Sequence, residues 1–271
     1  MINLYRDRPD LYDLLHDDQT ADLAFYAGIA RATVPENGSA LELGCGSGRV
    51  MEALLEGGQG LRVTGLDDED AMLARSRARL TPFGEQVRLV RGDMRRLDLG
   101  DLKSERFDFV LIAANTFLHL EDHAAQRACL AGIRALLRPE GLAILDVTNP
   151  FYAMALPQGT LTLRRQVVDE ETGRETAVTG VLEVDPTWPR VVDRLFFDEW
   201  GPNEPLHRLA SRVELRLIFM PELELLLASA GLGIADAYGD YELGPYHAGA
   251  ERMIVVLRPR EQLDSLLPGL R

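Results

Sequence analysis

Cysteine is nearly absent from these 271 residues: there are two, Cys45 and Cys129. Two such residues build no disulfide framework, and neither has metal-ligand spacing. Long apolar runs are missing as well, since nothing approaches the roughly 18 consecutive apolar residues of a membrane span. The opening "MINLYRDRPDLYD" is dense in charge and lacks an apolar signal-peptide core, which points to a cytoplasmic protein that does not engage a membrane. Positive charge is also short. Lys and Arg total 29 against 43 Asp and Glu, a net charge of −14. A surface of that sign repels phosphate backbones, so the expected partner is a small molecule and not nucleic acid. The nearest thing to a basic patch is "LRRQVV" (163–168).

What is present is enough apolar surface for a full core: 46% hydrophobic and 27% charged residues. The length suits one large α/β domain, or one domain carrying an insertion. Strand-length apolar runs stand at 39–44, 61–67, 87–93, 107–114 and 142–148, with amphipathic helical stretches between them and another over 20–33. The helix beginning at "EDHAAQR" stops at "RPEG", where Pro139 and Gly141 punctuate the return to a strand. Such alternation predicts right-handed crossovers and a mostly parallel, doubly wound sheet. From 158 to 219 the rhythm changes to apolar–polar alternation in "TLTLRRQVV", "ETAVTGVLEV", "RVVDRLFF" and "SRVELRLIF", with a hairpin turn at "DEETGRE". "PELELLLASAGLG" (221–233) restores a helix, "ERMIVVLRP" (251–259) a buried strand, and the last dozen residues read as a loosely attached tail. The expected organisation is therefore an N-terminal arm and α/β core over 1–157, an antiparallel insertion over 158–219, and completion of the core over 220–271.

Three glycines crowd "LELGCGSGRV" (41–50) at the end of the first strand. In an open α/β sheet a ligand sits beyond the carboxyl ends of the strands. Gly44, Gly46 and Gly48 are placed there to turn tightly and to leave backbone N–H groups open to a ligand. A dinucleotide fingerprint fails at its sixth position, which is Arg49, and no Gly-Lys-Ser/Thr ends a phosphate loop. Asp67 ends the second strand about twenty residues later, placed to accept from both hydroxyls of a ribose. The third strand ends in "GDM", where the Asp93 carboxylate can accept from an exocyclic amine and the Met94 N–H can meet a ring nitrogen. Together these outline an adenosine across three strand tips.

The combination resembles the class I S-adenosylmethionine-dependent methyltransferases: "ELGCGSG" as E/D-x-G-x-G-x-G, the acid in "VTGLDDEDAML", "GDM", and "LLRPEGLAILDV". It covers residues 39–150 well and 221–258 more loosely. The resemblance implies a Rossmann-like, mostly parallel seven-stranded sheet with the antiparallel insertion after strand five, and S-adenosylmethionine as cofactor. It implies the methionine part against Gly44, Cys45 and Gly46, the ribose on Asp67, and the adenine at Asp93 and Met94. Glu42 would hold the amino group through water, Tyr12 would either fold over the cofactor or pack the arm, and Gly48, Asp68, Ala113 and Asn115 complete the contacts. "LYD" (11–13) and the insertion make it similar to small-molecule members such as nucleotide-sugar and glycine N-methyltransferases.

Methyl transfer from a sulfonium mainly requires orientation and exclusion of water, with a base only if the acceptor arrives protonated. The acceptor is expected near "NTFLHLEDH": Asn115 and Thr116 as polar contacts, Phe117 as a wall, His119 as a group titrating near neutrality. Nucleotide-sugar N-methyltransferases carry a histidine at the position of His119 and an aromatic at that of His16; the chain departs from the aromatic there, and His16 is a substrate-side candidate by position alone. His119 and His123 stand i, i+4, but H-L-E-D-H has no evident third ligand, so no metal is expected. The N-P-P-aromatic signature of base-modifying enzymes is missing. Arg164, Arg165, Trp188 and Trp200 are either a lid over an anionic or ring-containing substrate or ordinary strand-face residues. The insertion shapes the acceptor pocket or forms a subunit contact in a homodimer. Rivals to a methyltransferase are an aminopropyl-type transferase, an NAD(H)-dependent oxidoreductase, and a nucleoside-binding regulatory protein of the same fold without catalysis.

Overall fold

Apolar side chains in the first half of the chain bury on both faces of a sheet, and this dictates the layers. In the computed structural model, which describes residues 1–97, 102–202 and 204–266, five strands form there: β1 (Ser39–Leu43), β2 (Arg62–Asp67), β3 (Val87–Arg91), β4 (Phe107–Ile112) and β5 (Leu137–Thr148). Successive β4 residues point to opposite faces. Phe109 and Leu111 enter one core with Tyr26, Met51 and Leu54, while Val110 and Ile112 enter the other with Leu130 and Ile133.

The helices supply those partners. On the first face lie α3 (Ala21–Thr33), α4 (Arg49–Glu56) and α5 (Asp70–Arg79); on the second lies α6 (His123–Leu136). Asp122 caps α6, accepting from Ala125 N at 2.8 Å. The helix ends just before Arg138–Pro139, where a residue preceding proline is driven out of the helical region. The expected break at "RPEG" lies inside β5: Phe107 pairs with Leu137 and Phe109 with Leu142, so the intervening residues bulge from a continuous strand.

Ahead of α3 the arm is structured. Two short helices, α1 (Leu4–Asp7) and α2 (Pro9–His16), bury Leu4 and Leu11 against Val178, Leu195 and Phe197. After β5 and a short helix α7 (Pro150–Ala155), the insertion forms its own antiparallel sheet. Its strands are β6 (Leu161–Val168), β7 (Glu175–Asp185), β8 (Arg190–Trp200) and β9 (His207–Arg216). The arm is stitched to that sheet by Ile2 N donating to Ala210 O at 2.8 Å.

Helix α8 (Met220–Ser229) then leads to β10 (Leu232–Tyr238) and β11 (Arg252–Pro259). The main sheet has the order β10-β11-β5-β4-β1-β2-β3, parallel throughout except for β11. It is the Rossmann-like seven-stranded sheet expected, with the antiparallel insertion after strand five. Strand β10 carried no clear signal because it is an edge strand with Gly233, Ala235 and Ala237 in place of large apolar side chains. The expected loose tail is partly docked: 260–266 form α9 (Arg260–Leu266), where Glu261 pairs with Arg134 at 3.1 Å. Residues 267–271 lie outside the described residues. No helix among the described residues is long and apolar enough to cross a membrane.

Candidate functional site

Parallel strands place all their carboxyl ends on one edge, so β1, β2, β3 and β4 end around one crevice. The three loop glycines serve different purposes there. All have positive φ: 68° at Gly44, 54° at Gly46 and 84° at Gly48. A Cβ at Gly44 would collide with Thr116 Cγ2, and one at Gly48 would lie 2.6 Å from Ser76 Oγ. A Cβ at Gly46 would meet only Tyr12, at 3.9 Å. Contrary to the expectation from the sequence, the N–H groups are not free for a ligand. Gly44 and Cys45 donate to Leu66 O at 2.7 and 3.0 Å, Gly48 to Cys45 O at 2.9 Å, and Gly46 to Asp67 Oδ2 at 2.8 Å. The tight turn consumes its own donors, and what faces the crevice at Gly46 is bare main chain.

Asp67 is buried at the tip of β2, its second oxygen accepting from Glu69 N at 2.9 Å. Desolvation raises its pKa, against the lowering effect of those two N–H groups. Each oxygen keeps a lone pair for a hydroxyl. Asp93 lies at the tip of β3, but its carboxylate is taken up by Arg95: Oδ1 accepts from the Arg95 N–H at 2.8 Å and both oxygens face Nε at 2.9 Å. That pairing with Arg95 lowers its pKa. Glu42 sits behind the loop, with Oε2 buried and without a hydrogen-bond partner, and burial raises its pKa far above the carboxylate range.

Past β4 the backbone is strained. Ala114 and Asn115 have φ of 48° and 71°, conformations that cost about 1–2 kcal/mol for a residue with a Cβ. Asn115 Oδ1 holds them by accepting from Thr148 N at 2.6 Å and Thr148 Oγ1 at 3.0 Å. The turn Thr116–His119 that follows is a 3-10 helix, in which residues three apart share a face. Thr116 and His119 therefore both face the crevice, while Phe117 is 0% exposed within the core. Phe117 is not the substrate wall expected of it.

The arm roofs the crevice with stacked rings. Tyr5 O–H lies 3.2 Å from His119 Nε2, and ring centroids are 5.6 Å apart for Tyr5–Tyr12 and 4.5 Å for Tyr12–His16. Burial keeps both phenols protonated, pushing Tyr12 up to about 12. The same desolvation lowers both histidines, so each imidazole is neutral at neutral pH. Ion pairs strap the arm down: Arg6–Glu69 at 2.7 Å and Arg79–Asp17 at 2.8 Å to α5, Arg8–Glu199 at 3.1 Å to the insertion, and Asp13 with Arg75. Arg49, the residue that breaks the dinucleotide pattern, is buried against Asp22 at 2.5 Å and reaches Gln19 O at 2.8 Å, tying α4 to α3. The cavity, about 730 Å³, runs from Gly46 and Asp67 past His119 to the apolar inner face of the insertion sheet.

A family model described as a methyltransferase domain matches residues 40–141, the stretch from β1 into β5. The chain is 27% identical over 251 residues to the cypemycin N-terminal methyltransferase of a Streptomyces species, covering 92% of this chain and 94% of that one. The chain is similar to the class I S-adenosylmethionine-dependent methyltransferases. A dTDP-4-amino-2,3,4,6-tetradeoxy-D-glucose N,N-dimethyltransferase from Saccharopolyspora spinosa is 28% identical over 144 residues, 52% of this chain and 54% of that one. Among solved structures, the CcbJ methyltransferase from Streptomyces caelestis shares the fold with a TM-score of 0.75 at 24% identity, covering 95% of this chain and 98% of that one.

The fold gathers most of the residues expected from the sequence on one cavity: Tyr12, His16, Gly44, Gly46, Asp67, Asp68, Asp93, Met94, Asn115, Thr116 and His119. Cys45, Gly48 and Ala113 do not line it; the two side chains point into the core and Gly48 packs on α5. His123 faces elsewhere, bound to Glu222 at 2.5 Å and Arg216 at 2.8 Å, so it does not converge with His119. Trp188 is 73% exposed, and Arg165 pairs with Asp18 of the arm. Tyr5, Glu69, Arg95 and Asp193 line the cavity without having been foreseen. Only Tyr5 had a visible signal, as a second aromatic in the arm.

Proposed function

We propose that this protein N-methylates a small amine, with an oxygen acceptor as the lesser alternative, in the part of the cavity between His119 and the insertion sheet. One observation carries this: a single cavity joins the strand-tip acids and bare Gly46 to His119 and an apolar wall. The N,N-dimethyltransferase name of the Saccharopolyspora spinosa relative supports nitrogen. The residues also suit the cofactor. Space over Gly46 is open to it, Asp67 retains lone pairs for the ribose, and the orphaned Glu42 Oε2 awaits a donor relayed from its amino group. Asp68, Asp93 and Met94 would border the adenine. Bound there, S-adenosylmethionine supplies an activated methyl group for in-line displacement.

The protein's own part is a proton and a dry site. Neutral His119 can take the proton that an ammonium acceptor must lose before it attacks. In that role the His119 Nε2–H donates to the Tyr5 hydroxyl oxygen, which leaves Nδ1, without a partner among the described residues, as the basic nitrogen. Leu182, Val191 and Leu195 exclude water from the acceptor side. A cytoplasmic location belongs to the same proposal, supported by the two buried free thiols. Release of S-adenosylhomocysteine on incubation with a panel of primary amines tests the function. Tight S-adenosylhomocysteine binding with no amine turned over would overturn the acceptor class.

A further inference from the structure

Where β7 and β8 border the cavity, their inward rows are apolar by alternation, except at one place. Along β8 the inward row reads Val191, Asp193, Leu195, Phe197, and the facing row of β7 reads Val178, Gly180, Leu182. A carboxylate thus stands where the pattern calls for a hydrophobe. On β6 the ladder slips between Leu163 and Arg165, leaving Arg164 as the unpaired residue of a bulge. Bulges re-aim side chains. Here the guanidinium is turned across the sheet to Asp193, with Nη2 3.7 Å from Oδ1. Gly180 makes room for the crossing, since a Cβ there would stand 2.9 Å from Arg164 Nε and 3.2 Å from Asp193 Oδ1.

At 3.7 Å the pair is an ion pair but not a hydrogen bond. Asp193 Oδ1 is shielded and hydrogen-bonds nothing, and desolvation raises the Asp193 pKa despite Arg164. Both residues line the same cavity as His119 and Gly46. An open pair on an apolar wall is unfinished, because an unsatisfied buried polar group is costly. A charged ligand group would finish it badly: Arg164 repels an ammonium that Asp193 attracts, and Asp193 repels a carboxylate that Arg164 attracts. A neutral group that donates to one and accepts from the other satisfies both.

We propose that Arg164 and Asp193 are a specificity-determining anchor that grips a hydroxyl on the acceptor, remote from the nitrogen that is methylated. This rests on the amine-acceptor reading of the cavity and adds the second recognition point on the substrate. The test uses four ring amines matched in shape: trans-4-aminocyclohexanol, cyclohexylamine, trans-1,4-diaminocyclohexane and trans-4-aminocyclohexanecarboxylate. Steady-state release of S-adenosylhomocysteine is measured for the wild type, Asp193→Asn, Asp193→Leu and Arg164→Met. Calorimetric affinity for S-adenosylhomocysteine reports that each variant is folded.

The wild type should turn over the hydroxylated amine with a KM about tenfold below that of cyclohexylamine and below both charged analogues, two hydrogen bonds being at stake. Asp193→Leu and Arg164→Met should erase the difference by raising KM for the alcohol alone, and Asp193→Asn should keep part of it. Equal KM values for alcohol and hydrocarbon in the wild type, a preference for either charged analogue, or a preference surviving in both Asp193→Leu and Arg164→Met would each overturn the anchor. No turnover of any of the four, with cofactor affinity intact, would instead overturn the amine-acceptor reading and the anchor that depends on it.

Discussion

Substituting each loop glycine by alanine separates the glycines that fold the turn from the one that admits the ligand. All three changes place a Cβ at positive φ, a strain of about 1–2 kcal/mol. Gly44→Ala adds a collision with Thr116 Cγ2 inside a packed turn, and overpacking of that kind costs about 1–3 kcal/mol more. Gly48→Ala meets Ser76 Oγ at 2.6 Å and Leu80 Cδ1 at 3.1 Å and belongs to the same class. Gly46→Ala meets nothing closer than 3.9 Å and pays only the strain. At roughly 2–4 °C per kcal/mol for a chain of this size, Gly44→Ala should lower the Tm by about 5–15 °C and Gly46→Ala by no more than about half as much. Affinity should move the other way. The new methyl at Gly46 projects over the ligand crevice, so calorimetry should show S-adenosylhomocysteine binding weakened by at least about tenfold, about 1.4 kcal/mol. The folded fraction of Gly44→Ala should bind far closer to the wild type. Adding Thr116→Ser to Gly44→Ala removes the colliding Cγ2 and should recover the collision part of the loss but not the strain. If Gly46→Ala lost as much Tm as Gly44→Ala while its affinity stayed unchanged, the division of labour argued from the loop geometry would be wrong.

Other outcomes follow from the same structure. Asp67→Ala should weaken S-adenosylhomocysteine binding at least tenfold by calorimetry, because the buried carboxylate anchors the Gly46 N–H and is the ribose acceptor in the proposed site. The pH dependence of kcat with a turned-over amine should rise through an inflection below the ordinary histidine value of 6.5. Burial disfavours the charged imidazole, so the proton is lost at lower pH and the base form is present above it. His119→Gln should abolish that limb while sparing cofactor affinity, and an unchanged profile would remove His119 from the chemistry. Asp146 accepts from Tyr26, from Tyr241 at 2.9 Å and from Arg252 at 2.6 and 2.8 Å, fully buried. Asp146→Ala strands Arg252 and should cost about 3–5 kcal/mol in urea unfolding.

The alternation of strand and helix runs, the glycine loop and the strand-tip acids are local or evenly spaced features, so the fold class, the cofactor and the crevice at the ends of β1 to β3 were legible in the chain. Periodicity also marked the insertion as antiparallel. It could not place β10, whose small residues leave no pattern, nor show that "RPEG" bulges from within β5 and does not stand between the helix and the strand. Phe117 and His119 illustrate the limit at the site. Two residues apart, both are reasonable pocket residues in the sequence, and only the 3-10 turn sends one into the core and the other to the cavity. The glycine N–H groups were assigned to a ligand because the sequence cannot reveal that Leu66 O and Asp67 already receive them.

By itself the sequence determined what depends on near neighbours along the chain: which segments become strands and helices, and which residue types stand at the strand tips. Tertiary structure alone decided what depends on groups far apart in the chain. Tyr5 reaches His119, Arg6 straps the arm to Glu69, and Arg164 crosses Gly180 to Asp193. Each contact is set by how two sheets and an arm pack around a cavity, and spacing along the chain carries no record of that distance.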